Sequence, residues 1–262
     1  MHLENLAKQV INVSKEAGDF IRQERKNFDP DKIEYKGLND MVSYVDKTAE
    51  KIIVNHLEKI LPEAGFITEE KTRNQLGARY NWIIDPLDGT TNFIHGVPTY
   101  SVSIALKEYE ELVFGVVYEI NLDECFYAWK DAPACLNGKE IKVSNIPAVS
   151  RGLIATGFPY YDFGKQDAYI ALFAELMKSC HGLRRLGSAA VDLAYTACGR
   201  FEAFYEYNLN AWDIAAGLVI VKQAGGQVVN FKGGDEVLNT RELLATNGKI
   251  TGEMLEIIQK HF

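Results

Sequence analysis

Cysteine is scarce in this chain and carries no pattern. Cys125, Cys135, Cys180 and Cys198 form neither a Cys-x-x-Cys pair nor any metal-finger spacing, which excludes a thiolate zinc module. In a chain of 262 residues they read instead as small buried apolar side chains in a reducing compartment. Long hydrophobic runs are missing too. No stretch approaches a membrane span, and His2, Glu4, Asn5 and Lys8 break up the segment where a signal peptide would carry its apolar core. A cytoplasmic protein with no membrane association is therefore expected. Positive charge is in deficit, since the net charge is −8. Recognition of nucleic acid needs clustered Lys and Arg, so none is expected here. Internal repeats and low-complexity linkers are also absent. What remains is an ordinary globular composition, 47% apolar and 24% charged, enough for one large domain or two tightly joined halves.

Periodicity places the elements. Leu3, Leu6, Ala7, Val10, Ile11, Ala17, Phe20 and Ile21 recur at helical spacing and predict an amphipathic helix. Residues 27–39 are polar, carry Pro30 and Gly37, and read as a loop or short strand pair. Ala49, Ile52, Ile53, Leu57 and Ile60 mark a second helix ending before Pro62, with Asp46 in its first turn. Strands are expected at 64–68, 81–85, 100–106, 112–118 and 126–129, and Asn137-Gly138 signals a hairpin. Beyond Ser150 the pattern mixes strands at 153–156, 201–205, 228–231 and 243–246 with helices at 168–180, 189–197, 212–224 and 254–259. Helices and strands alternating in this way predict a layered α+β architecture.

The richest stretch is Trp82-Ile83-Ile84-Asp85-Pro86-Leu87-Asp88-Gly89-Thr90-Thr91-Asn92-Phe93. An apolar strand delivers two carboxylates three residues apart, a pattern suited to hard divalent cations that take oxygen ligands. Pro86 lacks a backbone donor, so the strand is expected to end before it. Gly89, Thr90 and Thr91 can turn free amides toward an anion, as helix starts do. Cations beside an anion-binding turn indicate metal-assisted chemistry on a phosphate, and bound cations would reverse the sign of an acidic protein locally. An Asp-x-x-Asp-Gly surface turn is the bland alternative. A calcium loop lacks its alternating acidic positions and later Glu. The haloacid dehalogenase pattern spaces its carboxylates by two and has no proline there.

Further acids stand in similar settings: Glu69-Glu70 after a short strand, Asp46 and Asp213 at helix starts. Taken singly, each reads as a solvated pair or a helix cap. Taken together with Asp85 to Phe93, Gly187-Ser188-Ala189-Ala190 and Trp212-Asp213-Ile214-Ala215-Ala216-Gly217, they resemble the inositol monophosphatases over nearly the whole chain. Thr68 stands where many relatives have glycine.

That resemblance implies the αβαβα sandwich shared with fructose-1,6-bisphosphatases, as one unit over 1–262. Its halves would be 1–149, with most metal ligands, and 150–262, with Asp213 and the substrate side. It also implies a homodimer that hydrolyses a small phosphate ester with two or three Mg²⁺ ions and is sensitive to lithium. By the same resemblance Glu69, Asp85 and the Leu87 carbonyl would hold one metal, and Asp85, Asp88 and Asp213 a second. A third would use Glu69 and water. Asp46 and Thr90, with Glu69, would be catalytic, activating the attacking water. Asp88, Gly89, Thr90, Gly187, Ser188, Ala189 and Glu206 would line the phosphate and substrate side. Glu206, seven residues before Asp213, would accept hydrogen bonds from ring hydroxyls, with an exposed strand-end acid as the plain alternative. Lys36 resembles a family lysine near the active-site loop, though loop lysines are usually solvated.

Electrostatics agrees independently of the resemblance. Converging carboxylates repel by about 4 kcal/mol per pair at 4 Å and an effective dielectric near 20, so cations would be needed to keep all of them ionised. Arg184 and Arg185 read as contacts to a second phosphate or as interface residues, and His95 as a minor candidate acid. The aromatic run 158–163 reads mainly as packing. The expected substrate is myo-inositol 1-phosphate, because Thr91-Asn92-Phe93 resembles the inositol branch. Fructose 1,6-bisphosphate and 3′-phosphoadenosine 5′-phosphate are the runners-up, and a regulatory binding protein on the same fold is the reading from another class.

Overall fold

The computed structural model describes residues 2–29, 33–37, 40–159 and 163–262. Helix α1 (Leu3–Lys26) is followed by a hairpin of β1 (Ile33–Gly37) and β2 (Asp40–Ser43), then α2 (Tyr44–Ile60) and β3 (Gly65–Thr68). Next come β4 (Tyr80–Asp88), α3 (Thr90–His95), β5 (Ser101–Glu108), β6 (Glu111–Glu119), β7 (Glu124–Trp129), β8 (Cys135–Leu136) and β9 (Lys139–Glu140). The remainder is β10 (Leu153–Thr156), α4 (Gln166–Ser179), β11 (Gly182–Arg184), α5 (Ala189–Ala197), β12 (Ala203–Tyr207), α6 (Ala211–Gln223), β13 (Gln227–Val229), α7 (Val237–Thr240), β14 (Glu242–Thr246) and α8 (Thr251–Ile258). The expected helices and strands are present within a few residues. Pro30 and Tyr160, Tyr161 and Asp162 of the aromatic run lie outside the described residues.

Strands β3 to β9 form one sheet in sequence order, and β11-β10-β12-β14-β13 form a second. Each sheet buries both faces. On the outer face of the large sheet, α1 and α2 set Val10, Ala17, Ile21, Ile53 and Leu57 against Trp82, Ile84 and Phe114. Between the sheets, α5 and α6 bury Leu193, Ile214 and Ile220 against Val117 and Phe126 on one side and Phe204 and Leu243 on the other. On the far face, α4 and α8 pack Leu172, Leu176, Met254 and Ile258 onto Tyr205 and Leu244. The result is an αβαβα sandwich. A helix in its middle layer must be apolar all round, and α6 buries every residue from Ile214 to Val221.

Strand β4 departs from the sequence expectation. It runs through Pro86 to Asp88, because the register slips: Asp85 faces Ser103 and Asp88 faces Ser101. Three steps on β4 against two on β5 make a bulge, which tolerates a residue without a ladder donor. The bulge has a consequence for chemistry. In a regular strand, residues three apart point to opposite faces. The extra residue brings Asp85 and Asp88 to the same side. The hairpin signal holds, with Asn137 and Gly138 at φ 48° and 82° between β8 and β9.

Small residues let α6 approach both neighbours. A Cβ on Gly115 of β6 would lie 2.4 Å from the Ala216 carbonyl oxygen, and one on Gly217 would lie 2.5 Å from Leu193 Cβ. Contacts that close to backbone require the helix to move. Gly115→Ala should therefore destabilise the fold by about 2 kcal/mol, read as a lowered urea midpoint. An unchanged midpoint would show that α6 is not clamped at this crossing.

Candidate active site

Asp46 and Asp213 both take part in helix capping, as each reads when taken singly; Asp213 also lines a cleft, and Asp46 lies buried behind the cleft residue Thr90. Each is the third residue of its helix and turns one oxygen back to the cap backbone. Asp46 Oδ2 accepts from the Ser43 amide at 2.8 Å and the Ser43 hydroxyl at 2.7 Å. Asp213 Oδ2 accepts from the Asn210 amide at 2.6 Å. Such reciprocal caps satisfy orphan amides and fix the carboxylate. The second oxygen stays available, and Asp46 Oδ1 takes the Thr90 hydroxyl at 2.8 Å. Thr90 Oγ1 also stands 2.9 Å from the Leu87 carbonyl, so its one proton has two acceptors.

The carboxylates of the β4 motif are held just as closely. Asp85 Oδ1 accepts the Leu87 amide at 2.9 Å across the bulge. Asp88 Oδ2 accepts the Ser188 hydroxyl at 2.5 Å and the Ala190 amide at 2.8 Å, so the start of α5 anchors it. Ser188 and its neighbours, expected on the substrate side, thus also position Asp88. Glu69 follows β3, and its amide donates to Ile84 of β4 at 3.2 Å. Asn92 joins the two motif regions, donating to Thr99 at 2.7 Å and to Leu186 at 2.8 Å. Gly89, at φ 94°, lies where a Cβ would crowd Thr99 and Gly187, which explains glycine at the turn. Helix α3 begins at Thr90, leaving its first amides without helical acceptors.

Burial and mutual repulsion raise the proton affinity of this cluster. Burial pushes Asp88 up to about 6 and Asp213 up to about 7, with Asp88 adding to the burial effect on Asp213. Glu69 and Asp85 rise well above the usual carboxylate range, both first from burial; the charges of Asp213, Glu70 and Asp46 then add to Glu69, and those of Glu69, Asp88 and Asp213 to Asp85. Among the described residues, no three acids, histidines or cysteines close into a preformed metal cage. The donor chemistry nevertheless fits a hard divalent cation: the groups are oxygen donors only, clustered, buried and raised in proton affinity, so a cation would compete with protons for them.

Across the cleft stands Glu206, 7% exposed at the end of β12, seated where a Cβ on Gly157 would overlap its carboxyl. Gly187, Ser188, Ala189, Phe158 and Arg185 complete this wall. Arg185 lies over the Phe158 ring at 5.6 Å and attracts Asp88, Asp192 and Glu206. Arg184 and His95 are exposed and do not line the cleft. Lys36 falls on β1, where the backbone alone is described. Asp192 is a cleft residue absent from the sequence expectations, 1% exposed, with Oδ1 lacking a hydrogen-bond partner among the described residues. The available signal was one acid in an otherwise apolar run from Ala189 to Ala194.

Known proteins match this arrangement along the whole chain. Residues 2–262 match the Inositol monophosphatase family. A putative Nus factor SuhB of Neisseria meningitidis serogroup B is 40% identical over 252 residues, covering 96% of this chain and 97% of its own. An inositol-1-monophosphatase of Rhizobium meliloti is 40% identical over 230 residues, covering 87% and 86%. The crystal structure of extragenic suppressor protein suhB from Bartonella henselae superposes with a TM-score of 0.93 at 35% identity, covering 100% of both chains. With its sandwich, its bulged Asp-Pro-Leu-Asp strand and its cap-held acids, the chain belongs to the inositol monophosphatase family.

Proposed function

We propose that this protein is a Mg²⁺-dependent phosphatase that hydrolyses a phosphate monoester of a polyol, myo-inositol 1-phosphate first among them. The observation that carries this reading is the convergence of Glu69, Asp85, Asp88 and Asp213 on one cleft with the Asp46–Thr90 pair. In this reading the chain works as one unit whose halves, residues 1–149 and 150–262, meet at the cleft. Glu69, Asp85 and the Leu87 carbonyl would hold one ion; Asp85, Asp88 and Asp213 would hold another; Glu69 would contribute to a third. Bound Mg²⁺ supplies Lewis acidity to the phosphate and to the attacking water.

The chain's own groups do the rest. Thr90, donating to Asp46, keeps an oxygen lone pair for a proton of the attacking water and so orients it. The amides of Gly89 and Thr90 meet the phosphate oxygens. Gly187, Ser188 and Ala189 wall the substrate, and Glu206 accepts hydroxyls of the alcohol. Arg185 at the mouth offers the incoming ester a cation. We further infer a homodimer, for which exposed Ile170 and Met177, seven residues apart on α4, supply an apolar surface. A second reading has support in the relatives named Nus factor: the fold serves as a regulatory factor, beside catalysis or in its place.

Phosphate release with Mg²⁺, compared across inositol 1-phosphate, fructose 1,6-bisphosphate and 3′-phosphoadenosine 5′-phosphate, tests the proposal directly. Preference for inositol 1-phosphate is expected. Preference for another ester would keep the metal chemistry and discard the substrate, while silence on all three would favour the factor reading. Asp88→Asn should leave a folded protein with its turnover reduced about a thousandfold or more, as loss of a preorganised charge in the transition state demands. Normal turnover in that variant would refute the site. Thr90→Ala should slow turnover while leaving Mg²⁺ affinity near that of the parent, and a collapse of metal binding would remove Thr90 from the water-orienting role.

Proton linkage gives a test without substrate. A carboxyl whose folded pKa is raised stabilises the fold below its unfolded value and loses that contribution as pH rises through the folded one. For Asp88 and Asp213 the window runs from the ordinary Asp value near 4 to about 6 and about 7. The metal-free protein should therefore lose thermal stability across that window, and Mg²⁺ should raise the melting midpoint more at high pH than at low pH. Asp213→Asn should flatten the loss. An identical pH profile in that variant would show that Asp213 is not among the groups responsible.

A further inference from the structure

Glu50 belongs to none of the motifs above, yet its side chain is fully buried on α2, 0% exposed. Its carboxylate spans the turn that follows Glu69. Oε2 accepts the Glu70 amide at 2.8 Å, and Oε1 accepts the Thr72 amide at 2.8 Å and the Thr72 hydroxyl at 2.6 Å. Between those two amides sits Lys71, a non-glycine residue at φ 57°. Side chains disfavour that left-handed region, so the two amides flanking Lys71 need an external hold. A carboxylate fork, two acceptors at fixed separation, provides it. The same loop is closed lower down by the Thr68 hydroxyl donating to the Arg73 carbonyl at 3.1 Å.

Glu50 lies one turn beyond Asp46 on α2, so both project from the same helix face. Asp46 fixes Thr90, and Glu50 fixes the turn behind Glu69. A shift or rotation of α2 would move both together. We propose that Glu50 is a positioning residue that sets where the Glu69 carboxyl enters the cleft and keeps it in register with the Asp46–Thr90 pair. This role rests on the metal-dependent reading of the site, in which Glu69 is a cation ligand. Groups that orient ligands from behind typically contribute about ten- to a hundredfold to metal affinity.

Glu50→Gln keeps the size but leaves a single acceptor atom, so one of the two amides loses its partner and faces an N–H₂ group. Mn²⁺ serves as the probe, titrated into the protein and followed by its paramagnetic resonance signal. The expected result is a dissociation constant raised about ten- to a hundredfold, together with faster amide exchange at Glu70 and Thr72 in the metal-free protein. Unchanged Mn²⁺ affinity in a folded Glu50→Gln protein, with only a lower melting midpoint, would reduce Glu50 to packing and overturn the proposal. Should that variant not fold, Thr72→Val removes a single bond of the three. A weaker loss of Mn²⁺ affinity there supports the role, and an unchanged affinity overturns it. Failure of the unmodified chain to bind Mn²⁺ would instead defeat the metal-dependent reading, and that outcome is visible before any variant is made.

Discussion

Carboxylates repel one another when they are drawn together out of water, and this constraint governs the cleft. Burial pushes Glu69, Asp85, Asp88 and Asp213 all toward the protonated state, and neighbouring carboxylates add to the effect on Glu69, Asp85 and Asp213. Left to themselves, such side chains would swing apart into solvent. Each is prevented from doing so by hydrogen bonds or by the backbone that carries it: the Asn210 cap for Asp213, the α5 start for Asp88, the bulge for Asp85 and the clamped turn for Glu69. In the metal-dependent reading proposed above, a bound cation would turn this repulsion into coordination.

The sandwich is what makes those restraints rigid. Asp46, Asp88 and Asp213 come from different layers: the outer helix α2, the large sheet and the central helix α6. Because α6 is apolar all round and wedged against Gly115 and Leu193, its first turn cannot drift relative to β4. In the proposed reading, function would therefore depend on packing some distance from the chemistry, since a shift of about 1 Å in a charged group alters its electrostatic work severely.

Much of the site was legible in the residues. The run from Asp85 to Phe93 and the Trp-Asp pair at 212–213 identified the family, and Asp46, Thr90, Glu69 and Glu206 were found by motif. The structure sets Glu69, Asp85, Asp88, Thr90, Glu206 and Asp213 on one cleft, with Asp46 behind Thr90. Reading Pro86 as a strand end was a local inference, overturned by pairing with β5: a bulge is visible only when the partner strand is known. At Asp46 and Asp213 the capping role leaves room for a second one, because a carboxylate has two oxygens and each residue spends one on its cap. Glu50 and Asp192 escaped notice for another reason. A single acid on a helix looks solvated in sequence, and its burial depends on what packs over that face.

By itself the sequence determined the element types, the layered class, the family and most of the acids that the structure gathers at the cleft. These follow from local periodicity and from residue types at short spacing. Tertiary structure alone decided that Asp85 and Asp88 share a face, that Ser188 and Ala190 hold Asp88, and that Glu50 grips the turn behind Glu69. Those are contacts between residues up to 102 positions apart. Their existence depends on strand register and helix docking, which the whole chain settles together through the burial of its core.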